Sequence, residues 1–395
     1  MQSILNACSK QITARKFSII RMGIALLVVL LLLPFISISQ ITVQGTVLSE
    51  ATGLPVEGAS LYFNNTSIGT SANAVGKFSL SLPDIGNAEL IVSAVGFQLL
   101  VFKPDAAAIK NKNIIFKLAQ KEGQLKDVLI LTDAVRKKYL AIFETQFLGI
   151  TEEAAGSSIK NLKDIYFTSG DSKNSFKAYS DTSLVIINKM LGYKISFELI
   201  EFLYDQQSGR TSYYGYTRFE EMGDKKRWVK NRKRCYYGST VHFYRSLIGN
   251  RLKEEGYKIY LIKPLKFTTD SSTNAKGKNI AMPPKQQEEM GMAVGVVAAQ
   301  IVQPDSSNSN NYNIFIPGKL MVQYDKEPAS KNYLRKSTFV QGYLPVGFRS
   351  YVTVKAPFIS LNNMGIANNP IDVEYGGYWI YEKAANMLPF NYIPE

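Results

Sequence analysis

The chain has 395 residues and carries 46 basic against 32 acidic side chains, a formal net charge of +14. It contains one histidine and two cysteines. A zinc peptidase needs two or three His or Cys ligands together with a carboxylate, so this inventory excludes zinc carboxypeptidase chemistry. Apolar residues make up 46% of the chain and aromatic residues 12%, enough to build the cores of two or three domains without disulfides.

The first 39 residues have the pattern of a signal peptide. They carry four bases and no acid, and an apolar run from Met22 to Ile36, interrupted by Pro34, leads to Ser37-Ile38-Ser39. We expect export and cleavage before Gln40, to the periplasm or an outer-membrane-associated location. The alternative is an uncleaved inner-membrane anchor, for which the apolar run is short. Cleavage would lower the net charge from +14 to +10 and leave Cys235 without an intrachain disulfide partner.

Residues 41–118 alternate between apolar and polar side chains in short runs. Val43 and Val47 alternate with Gln44 and Thr46, and turn residues such as Pro55 separate the runs. About seven strands in so short a segment predict a small β-sandwich.

Four ordered motifs in this segment resemble those of the carboxypeptidase regulatory-like (transthyretin-like) module. They are Gly45-x-Val47, Gly53-x-Pro55-Val56-x-Gly58-Ala59, Gly69-Thr70 followed by Asn73-x-x-Gly76-x-Phe78, and Ser93-x-x-Gly96-Phe97. The resemblance implies a sandwich over residues 40–118 that serves as a companion domain without catalysis, as in exported proteins of Bacteroidetes type. It brings no active-site residue to this chain.

The remainder predicts a second, larger domain over residues 133–395, after a hinge at 119–132. A helix is expected from Asp133 to Leu148, stopped by Gly149, and then an antiparallel meander of strands. A polar insertion is expected at about 268–312, with an apolar stretch at 290–302, and a helix at 378–388. The predicted fold class is mainly β: a seven-stranded transthyretin-like sandwich followed by a β-rich α+β domain with a few helices.

A strongly basic segment occupies residues 225–234, where seven of ten side chains are Lys or Arg. Gly238 is expected to break it into two helices, with Ser239 capping the second. Such a run is most often a solvated helix face. The alternative is that four of its side chains bind a phosphate or carboxylate polymer. These are Lys226, Lys230, Arg232 and Arg234.

Ser239 and His242 are three residues apart, so they meet on one helix face and form a candidate nucleophile–base pair. No nucleophile-elbow motif surrounds Ser239, and the favoured interpretation is a helix cap beside a structural histidine. A Cys235–His242 pair would require an unbroken helix, which Gly238 argues against. Three carboxylate pairs were weighed for glycoside hydrolysis, and all have the pattern of surface charge: Glu220/Glu221, Glu254/Glu255 and Asp372/Glu374.

These features favour a non-catalytic cell-envelope binding or assembly protein, without cofactor or metal. Its expected partners are an envelope protein or an anionic glycan or lipid surface, and nucleic acid is excluded by the export route. Two alternatives stay open at this point. One is an envelope hydrolase acting on glycan or peptide, and the other is an outer-membrane receptor-associated component.

Overall fold

The computed structural model describes residues 42–81, 89–104, 113–121, 129–172, 174–264, 291–327, 330, 333 and 347–394. Within these ranges the protein is mainly β, with five sheets and a few short helices, which confirms the predicted fold class. The predicted signal peptide, residues 122–128 of the predicted hinge, and residues 268–290 of the predicted insertion lie outside the described residues. In the described part, every helix is too short or too polar to cross a membrane.

Residues 42–118 form the predicted seven-stranded sandwich. One sheet has the order β4-β1-β7, with β1 and β7 parallel, and the other has the order β3-β2-β5-β6. The period of two along β1 turns Val43 and Val47 into the core, where they meet Phe78, Leu80 and Phe116. The strands are β1 Thr42–Ser49, β2 Ser60–Phe63, β3 Gly69–Ser71, β4 Lys77–Ser81, β5 Leu90–Ser93, β6 Leu100–Phe102 and β7 Ile114–Leu118.

A helix and a six-stranded antiparallel sheet follow the sandwich. Helix α1 spans Asp133–Leu148 and ends at Gly149, as predicted, and the buried rings of Phe143 and Phe147 pack onto the sheet. The further elements are α2 Glu152–Ala155, β8 Ser157–Ile159, β9 Ile165–Ser169, β10 Ser175–Ser180, β11 Leu184–Asn188, β12 Tyr193–Asp205 and β13 Thr211–Glu221. The long β12 pairs with β11 along its first half and with β10 along its second half, and β13 pairs with its other edge.

Three helices and two further sheets follow in the described part of the chain. A five-stranded sheet has the order β15-β14-β18-β19-β21, and a small sheet has the order β16-β17-β20. The elements are α3 Lys226–Tyr236, α4 Thr240–Ile248, β14 Tyr257–Pro264, β15 Gly291–Val296, α5 Ala298–Ile301, β16 Val302–Pro304, β17 Asn311–Ile314, β18 Lys319–Tyr324, β19 Phe348–Val354, β20 Ile359–Asn362 and β21 Val373–Gly377. Phe243 and Leu247 of α4 join the core of the larger sheet.

Two segments differ from the sequence-based expectation. Part of the polar end of the expected insertion, at 303–304 and 311–312, belongs to β16 and β17, which pair with each other, while its apolar stretch packs as strand β15 and the short helix α5. The helix expected at 378–388 is instead two short 3₁₀ turns, Tyr378–Ile380 and Ala384–Asn386. Tyr378 and Trp379 of the first turn are buried in one core and Ala384 and Ala385 of the second turn in another, which a single straight helix does not reach at once.

Candidate functional site

The junction between α3 and α4 forms as its sequence indicates. Gly238 has a left-handed backbone, with φ of +81°, and separates the two helices. The Ser239 side chain accepts the backbone N–H of His242 at 3.2 Å and so caps α4. The predicted helix break and cap are therefore both present.

Both ring nitrogens of His242 have hydrogen-bond partners. The Gly238 N–H donates to its Nδ1 at 3.0 Å, and the Tyr257 hydroxyl lies 2.9 Å from the same atom. Its Nε2 lies 3.2 Å from Glu255 Oε2, so the ring proton belongs on Nε2. The imidazole is 3% exposed, and burial lowers its pKa although Glu255 acts to raise it.

This arrangement does not join Ser239 and His242 as nucleophile and base. Ser239 Oγ is engaged by the backbone of His242, while both ring nitrogens are engaged elsewhere. The Cys235 thiol is 7% exposed, and burial raises its pKa, which disfavours the reactive thiolate. The geometry is that of a helix cap, a structural histidine and a buried thiol.

The four candidate anion-binding side chains do not form a single binding site. Arg232 is 5% exposed, and its guanidinium donates to the carbonyls of Leu191, Gly192 and Gly223. Arg234 pairs with the carboxylates of α2, Glu152 and Glu153. Lys226 and Lys230 are exposed on α3 and form no ion pair within the described part of the chain. Only these two lysines remain available to an external anion.

Members of the three candidate carboxylate pairs contact separate partners. Glu220 pairs with Lys194 at 3.3 Å, and Glu221 pairs with Arg232 at 3.2 Å. Glu255 contacts His242, and Asp372 accepts from Asn369 at 2.7 Å. The structure does not set these pairs across a common cleft.

A cavity of about 230 Å³ opens beside the α3–α4 junction, and we name it the C-terminal cavity because residues 379–392 form much of its wall. It has an aromatic side and a polar side. The aromatic side is lined by Tyr236, Trp379, Phe390 and Tyr392. The polar groups are those of Cys235, Ser239, Thr240, Glu382, Lys383 and Asn386.

Glu382 is the chemically unusual group of this cavity. Burial, together with the nearby carboxylates of Glu153 and Glu327, raises its pKa to about 8. Its carboxyl is thus mostly neutral at pH 7 and able both to donate and to accept a hydrogen bond. No hydrogen bond to Glu382 is present among the described residues, so this capacity is open to a ligand.

A hydrogen-bond network holds the floor of the cavity. The Thr151 hydroxyl donates to Asn386 Oδ1 at 2.8 Å, and Asn386 Nδ2 donates to Glu153 Oε2 at 3.2 Å. Arg234 binds the other oxygen of Glu153. Asn386 is thereby fixed in orientation beside the Cys235 sulfur, 3.9 Å away.

Sequence reasoning missed Glu382 and Asn386. Neither belongs to a motif, and their neighbours are distant in sequence, with Glu153 more than two hundred residues and Glu327 more than fifty residues earlier in the chain. A lone Tyr-Glu-Lys tripeptide carries no signal that its carboxyl is desolvated, so only the tertiary fold identifies the site.

We expect Glu382→Gln to change the pH dependence of stability. A group whose pKa is raised on folding stabilises the native state below its unfolded pKa of about 4.5, and this stabilisation is lost as the pH rises through about 8. The glutamine variant avoids that loss, so it should equal the wild type near pH 5 and be about 1–3 kcal/mol more stable at pH 9. Urea unfolding at both pH values checks this, with the exposed Glu374→Gln as the control that should show no such divergence.

A larger concavity of about 420 Å³ lies on the sandwich. It is lined by the Leu54–Pro55 turn, Val95 and Phe97, together with neighbouring backbone. Its walls carry one acidic side chain, Glu57, and no strongly perturbed ionisable group among the described residues. The C-terminal cavity therefore has the stronger chemical character of the two.

Comparison with known proteins identifies the first domain. Residues 43–130 match the family model of the CarboxypepD_reg-like domain, so the chain carries a carboxypeptidase regulatory-like domain, as its motifs indicated. No curated protein matches the sequence. In the described residues, no three potential His, Cys, Asp or Glu ligands come together as a metal site.

Two solved structures are similar at a low level. A 9R-lipoxygenase from Cyanothece PCC8801 shares 9% identity over 55% of this chain and 48% of its own, with a TM-score of 0.16. A candidate carbohydrate binding protein from Bacteroides uniformis ATCC 8492 shares 9% identity over 81% of this chain and 98% of its own, with a TM-score of 0.15. The chain thus spans about half the length of the lipoxygenase. At these TM-scores neither likeness carries a functional argument.

Proposed function

We propose that this chain, with its carboxypeptidase regulatory-like domain, is a non-catalytic binding protein of the cell envelope that holds one sugar ring of a glycan in the C-terminal cavity. The signal-like residues 1–39 support the location. The regulatory-like domain supports a companion role for the sandwich, and ligand recognition is therefore proposed for the second domain.

The observation that carries this proposal is the largely neutral carboxyl of Glu382, which lies in an aromatic cavity and has no hydrogen-bond partner in the described part of the chain. Sugar hydroxyls both donate and accept hydrogen bonds, and a neutral carboxyl matches both roles. Thr240 and Asn386 add further polar groups, while Trp379 and Tyr392 provide apolar faces for the C–H face of a ring. An anionic ligand group would be repelled by the carboxylates of Glu153 and Glu327, so a neutral sugar fits best.

The other potentially reactive side chains have structural roles, which favours ligand binding over catalysis. Ser239 caps a helix, His242 is buried among partners, and the Cys235 thiol has a raised pKa. None of these three side chains is in position to attack a ligand in the C-terminal cavity with the help of a base.

The exposed lysines of α3 supply a second, non-specific contact. Lys226 and Lys230 lie on the solvent side of the helix, beside Lys225 and Arg227, which contact the Trp228 ring. A cluster of this kind attracts an anionic polymer or lipid surface and should do so less strongly as salt is added. It would bring the protein to the envelope without selecting a ligand.

Calorimetric titration of the purified full-length chain tests the proposal. The probes are the neutral disaccharides cellobiose, maltose and N,N′-diacetylchitobiose, with polygalacturonate as an acidic comparison. We expect at least one neutral disaccharide to bind and Glu382→Ala to weaken it about tenfold or more, the loss of one good hydrogen-bonding group. The control Glu374→Ala removes an exposed carboxylate on β21 and should leave binding unchanged.

Three outcomes would contradict the proposal. Equal binding by the wild type and Glu382→Ala would move the ligand away from the C-terminal cavity. Binding of polygalacturonate alone, weakened by salt and by Lys226→Ala/Lys230→Ala, would leave only the α3 surface as a binding site. Release of monosaccharide by the wild type would make the protein a hydrolase.

A further inference from the structure

The last described residues of the chain lie between the sandwich and α4. We call residues 389–394 the C-terminal segment and residues 64–67, the turn after β2, the sandwich tip. The Phe390 N–H donates to the Asn65 carbonyl at 2.6 Å. Asn391 accepts the Ser67 N–H at 3.1 Å and donates to the Ser67 hydroxyl at 2.9 Å. The sandwich tip thus holds two consecutive residues of the C-terminal segment.

Arg245 of α4 holds the same segment from the other side. Its guanidinium donates to the carbonyl of Phe390 at 2.6 Å and to that of Tyr392 at 2.9 Å. A third bond, to the carbonyl of Met364 at 3.0 Å, fixes the guanidinium itself. Two of the residues held in this way, Phe390 and Tyr392, line the C-terminal cavity.

The sandwich tip is in turn anchored to the edge of the six-stranded sheet. The Asn65 N–H donates to the Thr217 carbonyl at 2.7 Å, and the Phe219 N–H donates to the Thr66 carbonyl at 2.9 Å. Thr66 is fully buried, and Asn65 has the left-handed φ of +57° that this turn requires. The tip is therefore a fixed support with little freedom of its own.

We propose that the regulatory-like domain positions the ligand cavity of the second domain, with the sandwich tip acting on the C-terminal segment. Without the bonds to Asn65 and Ser67, the segment that carries Phe390 and Tyr392 loses its link to the sandwich tip and keeps those to α3 and α4, among them the Arg245 bonds and the contact of the Tyr392 ring with Tyr236. The aromatic wall then opens more often, and a ligand must order it on binding. By reciprocity, an occupied cavity tightens the hold of the segment on the sandwich.

The ligand part of this inference rests on the proposed function, but the mechanical coupling does not. Cys235 lines the same cavity and is 7% exposed, so its reaction with the thiol reagent DTNB reports how often the wall opens. The experiment uses the full chain with Cys8→Ser, which leaves Cys235 as the one thiol.

Asn391→Ala is the test variant, since it removes both side-chain bonds to Ser67. We expect it to raise the DTNB rate of Cys235 about tenfold at zero urea. The matched control Asn369→Ala also removes a side-chain hydrogen bond, to Asp372, on an exposed turn away from the segment, and should leave the rate unchanged.

The urea dependence of the rate separates opening of the wall from general destabilisation. Local opening exposes little surface, so the raised rate should stay nearly flat at low urea, whereas global unfolding gives a steep dependence. A rate equal to the wild type, or one that rises only with a steep urea dependence, would overturn the coupling.

The disaccharide titration distinguishes the two proposals. If wild-type binding is present but Asn391→Ala changes neither affinity nor thiol rate, the coupling fails and the proposed function stands. If no disaccharide binds while the thiol rate rises as expected, the proposed function fails and the coupling stands.

Discussion

Replacing Arg232 by methionine is expected to destabilise the protein by about 2–4 kcal/mol, because it removes several hydrogen bonds made by one buried, charged donor. Its guanidinium donates to the carbonyls of Leu191 at 2.7 Å, Gly192 at 3.1 Å and Gly223 at 3.3 Å. It also lies 4.0 Å from the centre of the Tyr193 ring. Methionine fills the space but leaves the buried Leu191 carbonyl without this donor, whereas the Gly192 carbonyl keeps the Met222 N–H.

Urea unfolding followed by tryptophan fluorescence measures this loss. The matched control is Lys230→Met, which removes an exposed charge from the same helix and should change stability by less than about 0.5 kcal/mol. Arg232→Lys should recover only part of the loss, because one ammonium group does not reproduce the planar set of donors. Similar stability of Arg232→Met and the wild type would contradict a structural role and return Arg232 to the anion-binding candidates.

Replacing Gly238 by alanine is expected to destabilise the protein by about 2–4 kcal/mol. The new methyl group would lie 2.4 Å from the Phe348 ring and 3.1 Å from the Tyr324 ring, both in the core of the larger sheet. The left-handed φ of +81° adds a backbone cost of about 1 kcal/mol for a residue with a side chain. Relieving the clash would also move the N–H that donates to His242 and the carbonyl that accepts the Trp379 indole.

Gly209→Ala provides a control that isolates the backbone cost. Gly209 has a similar φ of +68°, and no heavy atom lies within 4 Å of an added Cβ. It should therefore cost only about 1 kcal/mol in thermal or urea unfolding. Equal losses for the two variants would show that the core accommodates the methyl group at Gly238.

The parts of the fold that could be predicted are those with local causes. The alternation of Val43 and Val47 with polar neighbours sets the face of β1 that is buried, whatever that face packs against. Gly149 stops α1, and Gly238 with Ser239 separates α3 from α4, because these residues act on the backbone next to them. Each of these predictions is confirmed.

The candidate site depends on partners distant in sequence, and sequence reasoning did not find it. In the basic segment, Arg232 and Lys230 have the same local pattern. They differ because the backbone carbonyls of Leu191 and Gly192 accept hydrogen bonds from Arg232. Likewise, the pKa of Glu382 is raised first by burial and then by Glu153 and Glu327, which are distant in sequence. Charge counts along the chain do not show which charges are desolvated.

The sandwich tip also covers part of the edge of β13, which disfavours pairing of this strand with another chain. Strand β13 is the last strand on its side of the six-stranded sheet, and an open edge of this kind exposes backbone groups to pairing with another chain. Asn65 and Thr66 satisfy the backbone at Thr217 and Phe219, with Arg218 bridged between them. In a chain whose two domains have not yet docked, this edge is uncovered. We therefore expect aggregation mainly before the domains dock. The strands of the sandwich end at Leu118 and β13 begins at Thr211, so during synthesis the sandwich can fold before the edge forms.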